Sequence, residues 1–389
     1  MRKNIITGVS LVALSAGMAQ AGGFELQTLD TSIMYADGNQ ASISYATIDA
    51  SVQGYNTGTG LANVSKKQVV KDQTVSNIGA KFDVGDSLSF GLTTYRSGAI
   101  QLDGGNGVNG NLAPTGDVDL DTMALMVNYD LNENISLIGG MTQNTLKSGN
   151  VTTLAGSYDV SGASEQGYIV GAAYSIPEIA LRAELTYQPK TDFSTTTAYT
   201  PSAVAVCGAI APLDCDDLGT EPTDTAFANA QGLMTTGANT TTLSLPDTFA
   251  FNFQTGIAAD TLLTASYRKA AWGKSQINVA APVAIETEFA DSEAYSVGIG
   301  RKFTDSLSGS ITYSKEEGSS STSTSLFTVS NGSEAISIGL RYAKDNMNVS
   351  AGISRRNVGD VTVTDPNAGQ MQYTGNTVTS MGVKIAFAF

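Results

Sequence analysis

The chain has 389 residues, 41% of them hydrophobic, and its 36 acidic and 21 basic side chains give a net charge of −15. So acidic a surface repels nucleic acid, and we expect no nucleic-acid partner. The sequence contains no histidine, which excludes Ser-His-Asp and Cys-His nucleophiles, HExxH metal sites and imidazole bases. Because the acidic residues are scattered without a distinctive spacing, we expect no enzyme activity, no metal and no other cofactor.

Residues 1–21 have the features of a secretory signal peptide. Arg2 and Lys3 precede an apolar run over residues 5–14, and residues 19–21 read Ala-Gln-Ala, a typical cleavage site. The alternative is a membrane-anchoring helix, but the run is shorter than the ~20 apolar residues such a helix needs. No later segment approaches that length, so any membrane spanning must be done by β-strands.

Strands with alternating apolar and small or polar residues recur from Asn39 onward. About 14 of them are long enough for the roughly 9–11 residues of a tilted membrane strand. Short turns near residues 84, 132, 177, 258, 305 and 345 alternate with longer loops, as periplasmic turns and extracellular loops do in membrane barrels. The predicted strands cover 39–54, 70–82, a third strand from residue 88, then 117–129, 134–146, 158–174, 179–193, 243–253, 262–279, 286–303, 307–315, 330–342, 348–361 and 372–389.

The third strand loses its alternation after Thr93, at Tyr95-Arg96-Ser97-Gly98. A glycine permits a β-bulge that breaks the ladder of backbone hydrogen bonds. Ser97-Gly98 could equally mark the start of the following loop, and the sequence leaves both interpretations open.

Several charged residues occupy the small or polar side of predicted strands. A charge facing lipid near the bilayer midplane costs a few kcal/mol, whereas a hydrated lumen accepts it. We therefore expect these charges to line a lumen: Lys81, Arg182, Glu184, Arg341 and Lys384.

Residues 198–240 form the longest irregular segment, which we predict to be a long extracellular loop. The segment contains both cysteines, Cys207 and Cys215. An exported chain meets an oxidising compartment, which favours a disulfide between them over the alternatives of a metal site or a reactive thiol.

The hairpin from Leu245 to Ser275 has a Pro-led strand, a short turn, and a second strand that ends in a Trp-Ser-like element. It resembles a hairpin of the FadL/TodX family of outer-membrane transporters for long-chain fatty acids and other hydrophobic compounds. The matching anchor positions are Pro246, Trp272 and Ser275, although Gly273-Lys274 separates Trp from Ser, which the family usually has adjacent. The Gly22-Gly23-Phe24 start of the mature chain, the strand count and the terminal Phe389 also fit the family.

The resemblance implies a hydrophobic ligand that is held in an apolar lumen pocket and released sideways at a kinked strand. The ligand or gate candidates are Phe24, Tyr95, Arg96 and Gly98. The family has an N-terminal plug of roughly forty residues with an Asn-Pro-Ala-like element. Here only residues 22–38 precede the barrel of residues 39–389, without that element, so we expect a short plug-like segment, or reduced hatch.

The final strand places Met381, Val383 and Phe387 on one face and Lys384 on the other. Pairing of this strand with the strand that begins near Asn39 would close the sheet, and closure avoids unpaired backbone groups in lipid. Aromatic residues at the turn-side strand ends read as an interfacial girdle: Phe82, Tyr129, Tyr174, Phe253, Phe303, Tyr342 and Phe389.

We therefore predict an all-β protein, a closed antiparallel transmembrane β-barrel of about 14 strands in the outer membrane of a Gram-negative bacterium. It would be a monomer in contact with outer-membrane lipid and lipopolysaccharide. The predicted function is passive uptake of long-chain fatty acids or other hydrophobic molecules. The alternatives are a polar-solute porin and a structural or adhesive barrel.

Overall fold

The computed structural model describes residues 19–21, 24–27, 29–57, 67–104, 113–153, 155–202, 239–279, 285–365 and 369–389. In this part of the chain, fourteen antiparallel strands pair in chain order. The last strand then pairs with the first, from Thr377 with Ser51 to Ala388 with Gln40, so the barrel is closed as predicted. The strands are β1 (Gln40–Ser51), β2 (Gln73–Val84), β3 (Leu88–Asp103), β4 (Thr115–Asp130), β5 (Ile135–Leu146), β6 (Ala163–Ile176), β7 (Leu181–Gln188), β8 (Thr248–Ala258), β9 (Thr261–Ala270), β10 (Ser292–Lys302), β11 (Leu307–Glu316), β12 (Ser333–Lys344), β13 (Met347–Val358) and β14 (Asn376–Ala388).

The outer surface of the barrel is a belt of apolar side chains. Leu125 and Ile338, for example, are 56% and 53% exposed. In water such a surface would be unstable, whereas lipid covers it without cost, so the barrel is a transmembrane one of the bacterial outer-membrane type. The predicted lumen charges all lie on the inner face: Lys81, Arg182, Glu184, Arg341 and Lys384.

All six predicted short turns are present, at residues 85–87, 131–134, 177–180, 259–260, 304–306 and 345–346. They lie at the same end of the barrel as Phe389, whose ring packs edge-on against Phe82 with centroids 5.8 Å apart. The Phe389 N–H donates to the carbonyl oxygen of Asn39 over 3.1 Å. Short turns mark the periplasmic end, so Phe389 occupies the predicted rim.

A structure that we call the cap closes the opposite, long-loop end. One part extends the barrel sheet through the strands Gly149–Thr153, Gly156–Val160, Thr191–Pro201, Asn239–Leu245, Asn278–Val279 and Ile285–Glu286. The other part is a separate sheet of Gln53–Asn56, Lys67–Gln68, Thr322–Ser323, Val361–Asp365 and Gly369–Tyr373. Both parts enclose an apolar core that includes Tyr158, Phe193, Trp272, Phe327 and Tyr373.

Several predicted strand boundaries were wrong in the part of the chain that forms the cap. The predicted strand 158–174 is divided between a cap strand and β6, because Ser161 and Gly162 interrupt the pairing. Residues 198–201, predicted to belong to an irregular loop, continue the strand Thr191–Pro201 because they pair with residues 156–159. β9 ends at Ala270 and β10 begins at Ser292, so the predicted strands 262–279 and 286–303 were too long. Cys207 and Cys215 lie outside the described residues.

The N-terminal segment passes through the lumen. A 3-10 helix, Thr31–Tyr35, begins at Asp30, whose carboxylate accepts the Ser32 N–H over 2.9 Å. Below the helix, the Lys81 ammonium group donates to the carbonyl oxygen of Ala36 over 2.6 Å. No helix in the described ranges is long and apolar enough to cross a membrane.

Candidate functional site

The barrel wall has an opening between β2 and β3, which we call the window. These strands pair only from Val84 with Leu88 to Ile78 with Thr94. Contact between the two chain segments resumes near the cap, where an isolated bridge joins Val70 to Leu102. Between these points, residues 72–77 and 95–100 form no backbone ladder with each other in the described structure. β2 stays paired with β1, and β3 with β4, so the interruption is local.

A β-bulge in β3 accounts for the window. The register between β3 and β4 shifts between Arg96 and Gly98, which leaves Ser97 as the extra residue. Its hydroxyl donates to the Leu120 carbonyl oxygen over 3.2 Å and accepts from Thr122 over 2.7 Å. Because a bulge bends its strand, β3 leaves β2 at this point. The structure thus has a bulge where the alternation failed, and the gating role of these residues stays a prediction.

The Arg96 side chain crosses the window. Nη1 donates to Oε1 of Gln73 over 2.8 Å, and Nη2 lies 3.4 Å from the carbonyl oxygen of Thr74. On the other side, Nε lies 3.4 Å from the carboxylate of Asp119, and the Arg96 side chain is 20% exposed. One guanidinium group therefore joins β2 to β4 over the opening.

The window opens inward onto a cavity of about 230 Å³, which we call the lumen cavity. Val75 of β2 and Thr93 of β3 belong to its wall beside the window. Leu29, Ile33, Ala46, Ile48 and Tyr95 give the cavity an apolar side, and the rest of its wall is polar. Its charged lining residues are Arg268, Lys384 and Asp30.

The N-terminal segment forms one wall of the lumen cavity. Leu29, Ile33 and Met34 pack in an apolar cluster with Tyr95, Ala124, Met126 and Ile169 of the barrel. Toward the cap, the short strand Phe24–Leu26 pairs with β3 through Glu25 and Ala99. This part of the β3 edge no longer pairs with β2. The segment therefore runs along the lumen cavity, from Ala36 beside Lys81 to Glu25 beside Ala99.

Polar contacts fix the 3-10 helix to β7. The Thr31 hydroxyl donates to Glu184 Oε1 over 2.6 Å, and Asn252 donates to the same oxygen over 3.0 Å. The Arg182 guanidinium lies 3.9 Å from the centroid of the Tyr35 ring. Glu184 is only 2% exposed, and a carboxylate so buried requires such donors.

A second, smaller cavity of about 40 Å³ lies in the cap. We call it the cap cavity; its walls include Ile100 and Val118, which follow the bulge on β3 and β4, and Leu243 and Phe327. Tyr158 also lines it, and burial raises the pKa of the Tyr158 hydroxyl, which therefore stays neutral. The cap cavity has a nearly apolar lining and lies between the bulge and the long-loop end of the barrel.

The structure separates the predicted site residues into two groups. Tyr95, Arg96 and Gly98 meet at the window and the lumen cavity, and the backbone of Phe24 belongs to the strand beside Ala99. The family-like hairpin residues lie at the cap: Trp272 is fully buried against Phe289, Ser275 is fully buried, and the Pro246 carbonyl oxygen accepts from Thr248. They stabilise the cap and do not line the lumen cavity.

Sequence reasoning missed the partners that complete the site. It placed Glu184 in the lumen without the bond from Thr31, and it gave no role to Gln73 or Arg268. The only sequence signal for Arg268 is a charge in mid-strand on the inner side of β9. Gln73 gives no signal, because its partner on β3 is distant in sequence. Among the described residues, no group of three or more acidic, cysteine or histidine side chains is placed to hold a metal ion.

The solved structures similar to the chain include a FadL homologue and two toluene transporters. A Pseudomonas aeruginosa FadL homologue has a TM-score of 0.72 and 13% identity, with 92% of each chain covered. The Pseudomonas putida toluene transporter TodX has a TM-score of 0.60 and 11% identity, covering 92% of this chain and 91% of that one. The Ralstonia pickettii toluene transporter TbuX has a TM-score of 0.58 and 10% identity, with coverages of 91% and 90%.

The barrel therefore has the fold of the FadL family. No protein-family model matches the sequence, and no curated protein matches it either. At these low identities the similarity establishes the fold, and the function must be argued from the site.

Proposed function

We propose that this protein is an outer-membrane channel for the passive uptake of long-chain fatty acids or other hydrophobic molecules, with lateral release through the window. The observation that carries the proposal is the interruption of β2–β3 pairing directly beside a lumen cavity with one apolar side. Unpaired backbone groups at membrane depth cost several kcal/mol each. Phe24–Leu26, paired through Glu25 with Ala99, and Arg96, beside the Thr74 carbonyl oxygen, cover part of these edges. An opening retained despite the remaining cost is well explained by a route from the lumen into the lipid.

The two cavities suggest the route. An apolar solute gains nothing from a water-filled pore, because it must leave water to reach the membrane. The cap cavity of about 40 Å³ is smaller than such a solute and would have to widen to be a dry first station next to Ile100 and Val118. The lumen cavity lies on the inner side of the bulge. From there the window leads to the apolar belt, where Ile78 is exposed.

The lumen cavity also suits a ligand with an acidic head. Arg268 and Lys384 outnumber the one carboxylate of the lining, Asp30, and would face the carboxylate of a ligand. Leu29, Ile33 and Ile48 would contact its hydrocarbon chain. This supports a fatty acid over toluene, the compound in the names of two similar transporters. In this proposal the signal peptide is removed after Ala21, and residues 22–38 form the short hatch that must shift during transport.

The alternatives fit the site less well. A polar-solute porin needs an open aqueous lumen, whereas here the 3-10 helix occupies the lumen and an apolar core fills the cap. A structural or adhesive barrel needs neither the window nor an apolar cavity behind it.

Deletion of Ser97 tests lateral release. Tyr95 faces the lumen and Arg96 faces outward, so removal of the extra residue would bring Gly98 into regular alternation and allow β3 to pair with β2. We expect the folded variant to lose most transfer of radiolabelled oleate into lipid vesicles that contain the purified protein. Heat-modifiable electrophoretic mobility verifies folding, and Gly98→Val, which places bulk in the bulge, is a second variant.

Wild-type oleate transfer by folded variants of both kinds would contradict lateral release. Planar-bilayer recordings address the porin alternative independently, since a hydrophobic channel with a closed cap should pass little ionic current. Large steady currents without oleate transfer would establish the porin function instead.

A further inference from the structure

A wide polar cleft lies on the long-loop surface, at the ends of β10, β11 and β12. Its volume is about 610 Å³, within the range of ligand pockets in proteins. The cleft is formed by residues 288–292, by eleven of the residues between 316 and 332, and by Thr364. None of these residues lines the lumen cavity or the window, so the proposed transport function does not account for the cleft.

The lining of the cleft consists of oxygen-rich side chains. Carboxylates come from Glu288, Asp291, Glu316 and Glu317, an amide from Asn331, and hydroxyls from several serines and threonines. Among the described lining residues there is no lysine or arginine. The cleft therefore repels phosphate, sulfate and other anions, and it offers many acceptors and donors to a neutral ligand rich in hydroxyl groups.

Two serines at the base of the cleft are buried but have unused hydrogen-bonding capacity. Ser292 and Ser330 are each 5% exposed and belong to the lining. Neither Oγ atom forms a hydrogen bond with any other described group. Buried polar atoms are almost always paired, so we expect a polar partner for these hydroxyls, either a ligand in the cleft or an ordered water that connects them to it.

Bonds within the cleft hold its carboxylates in place. The Gly273 N–H donates to Asp291 Oδ1 over 2.8 Å, and the Lys315 ammonium group lies 3.0 Å from Glu317 Oε1. The Thr324 hydroxyl donates to Glu288 Oε2. Each bond uses one carboxylate oxygen and leaves the other for a ligand, so the acceptors are positioned in advance.

We propose that this cleft is a binding site for a neutral saccharide at the cell surface. Carboxylates and amides that accept from and donate to adjacent hydroxyl groups suit a pyranose ring, whose polar groups surround it on all sides. A divalent cation is the competing occupant of an acidic cleft. However, no three or more acidic side chains among the described residues are placed to hold a metal ion together. The sugar could be free or part of the neutral core of lipopolysaccharide.

Saturation-transfer NMR on the purified full-length protein in detergent micelles tests the proposal. The probes are methyl glycosides of glucose, galactose and mannose, and glucuronate is the anionic counterpart. We expect transfer to at least one neutral glycoside and none to glucuronate. A neutral core oligosaccharide released from lipopolysaccharide then distinguishes the two sources, since only a lipopolysaccharide-specific site would prefer it to the simple glycosides.

Substitutions in the cleft test whether the glycoside binds there. Ala290 is exposed at its edge, and Ala290→Trp should fill the cleft and reduce the affinity for the glycoside at least tenfold. Asp291→Asn keeps an oxygen that accepts the Gly273 N–H and should reduce the affinity for the glycoside severalfold. Asp103→Trp, at an exposed position on the end of β3, is the matched control and should leave binding unchanged. Equal binding by all variants, or binding of calcium chloride without any glycoside, would overturn the proposal.

Discussion

Arg96 on β3 donates a hydrogen bond to Gln73 on β2 over 2.8 Å, across a stretch where the backbones of the two strands do not pair. A hydrogen bond from a charged donor contributes about 1.5–3 kcal/mol, and each 1.4 kcal/mol is about a factor of ten in an equilibrium. If the window is the exit, Arg96→Ala should favour its open form about tenfold and speed oleate transfer into lipid vesicles.

Arg355 provides the control, because it is an exposed arginine on the outer face of β13, away from the window. Arg355→Ala should leave oleate transfer unchanged. Slower transfer in folded Arg96→Ala would instead indicate that the guanidinium binds the ligand during passage.

The barrel could be predicted from the sequence because its pattern is local. Each strand alternates between a lipid face and a lumen face, so Ile338 and Arg341 reveal their sides without knowledge of any partner. The bulge was also visible, since an extra residue such as Ser97 disrupts the alternation within one strand.

The cap and the contacts of the plug depend on partners that are distant in sequence. Tyr158 meets Tyr199 with ring centroids 4.8 Å apart, and Thr31 meets Glu184 across the lumen. Neither contact produces a periodic pattern in the sequence from which it could be predicted. Most cap strands are short, and the buried face of the longest, Thr191–Pro201, carries threonines as well as apolar residues. The cap strands therefore resemble ordinary polar loops until their pairing is known.

Lys384 should distinguish a carboxylate ligand from a neutral one. Its side chain lines the lumen cavity, and a charge-assisted bond to a carboxylate contributes about 1.5–3 kcal/mol. Lys384→Met should therefore weaken oleate binding to the reconstituted protein about tenfold or more and leave toluene binding unchanged. Equilibrium binding of the two radiolabelled compounds measures both effects.

The control for Lys384 is Lys302→Met, which removes a lysine from the periplasmic end of β10, where it pairs with Asp305 at 2.8 Å. Lys302→Met should change neither the affinity for oleate nor the affinity for toluene. Equal losses of oleate and toluene binding in Lys384→Met would mean that the substitution damages the cavity, and no loss would mean that Lys384 does not contact the head group.

The bond from Thr31 to Glu184 should hold the N-terminal segment in the lumen. Thr31→Val keeps the shape of the side chain but leaves the buried carboxylate with one donor fewer, at a cost of about 1–3 kcal/mol. Hydrogen exchange should therefore accelerate at the Ala36 amide, which donates to Ile33 over 3.2 Å.

Ser32→Ala is the neighbouring control, because the Ser32 hydroxyl makes no hydrogen bond in the described structure, whereas its backbone amide is bound by Asp30. Its exchange rates should match those of the wild type. Unchanged exchange in Thr31→Val would show that the apolar contacts of Ile33 and Met34 hold the segment without help from Glu184.

Adjacent residues of β11 test which face of the barrel meets lipid. Ile311 is 53% exposed on the outer face and pairs with Ile299 and Ile338, whereas Ser310 faces the lumen. Arginine on the lipid face near the midplane costs about 2–4 kcal/mol. Ile311→Arg should lower the free energy of unfolding by that amount in urea titrations of vesicle-inserted protein, whereas Ser310→Arg should cost far less. Equal destabilisation by both substitutions would contradict the assignment of the two faces, because a hydrated lumen accepts a charge that lipid does not.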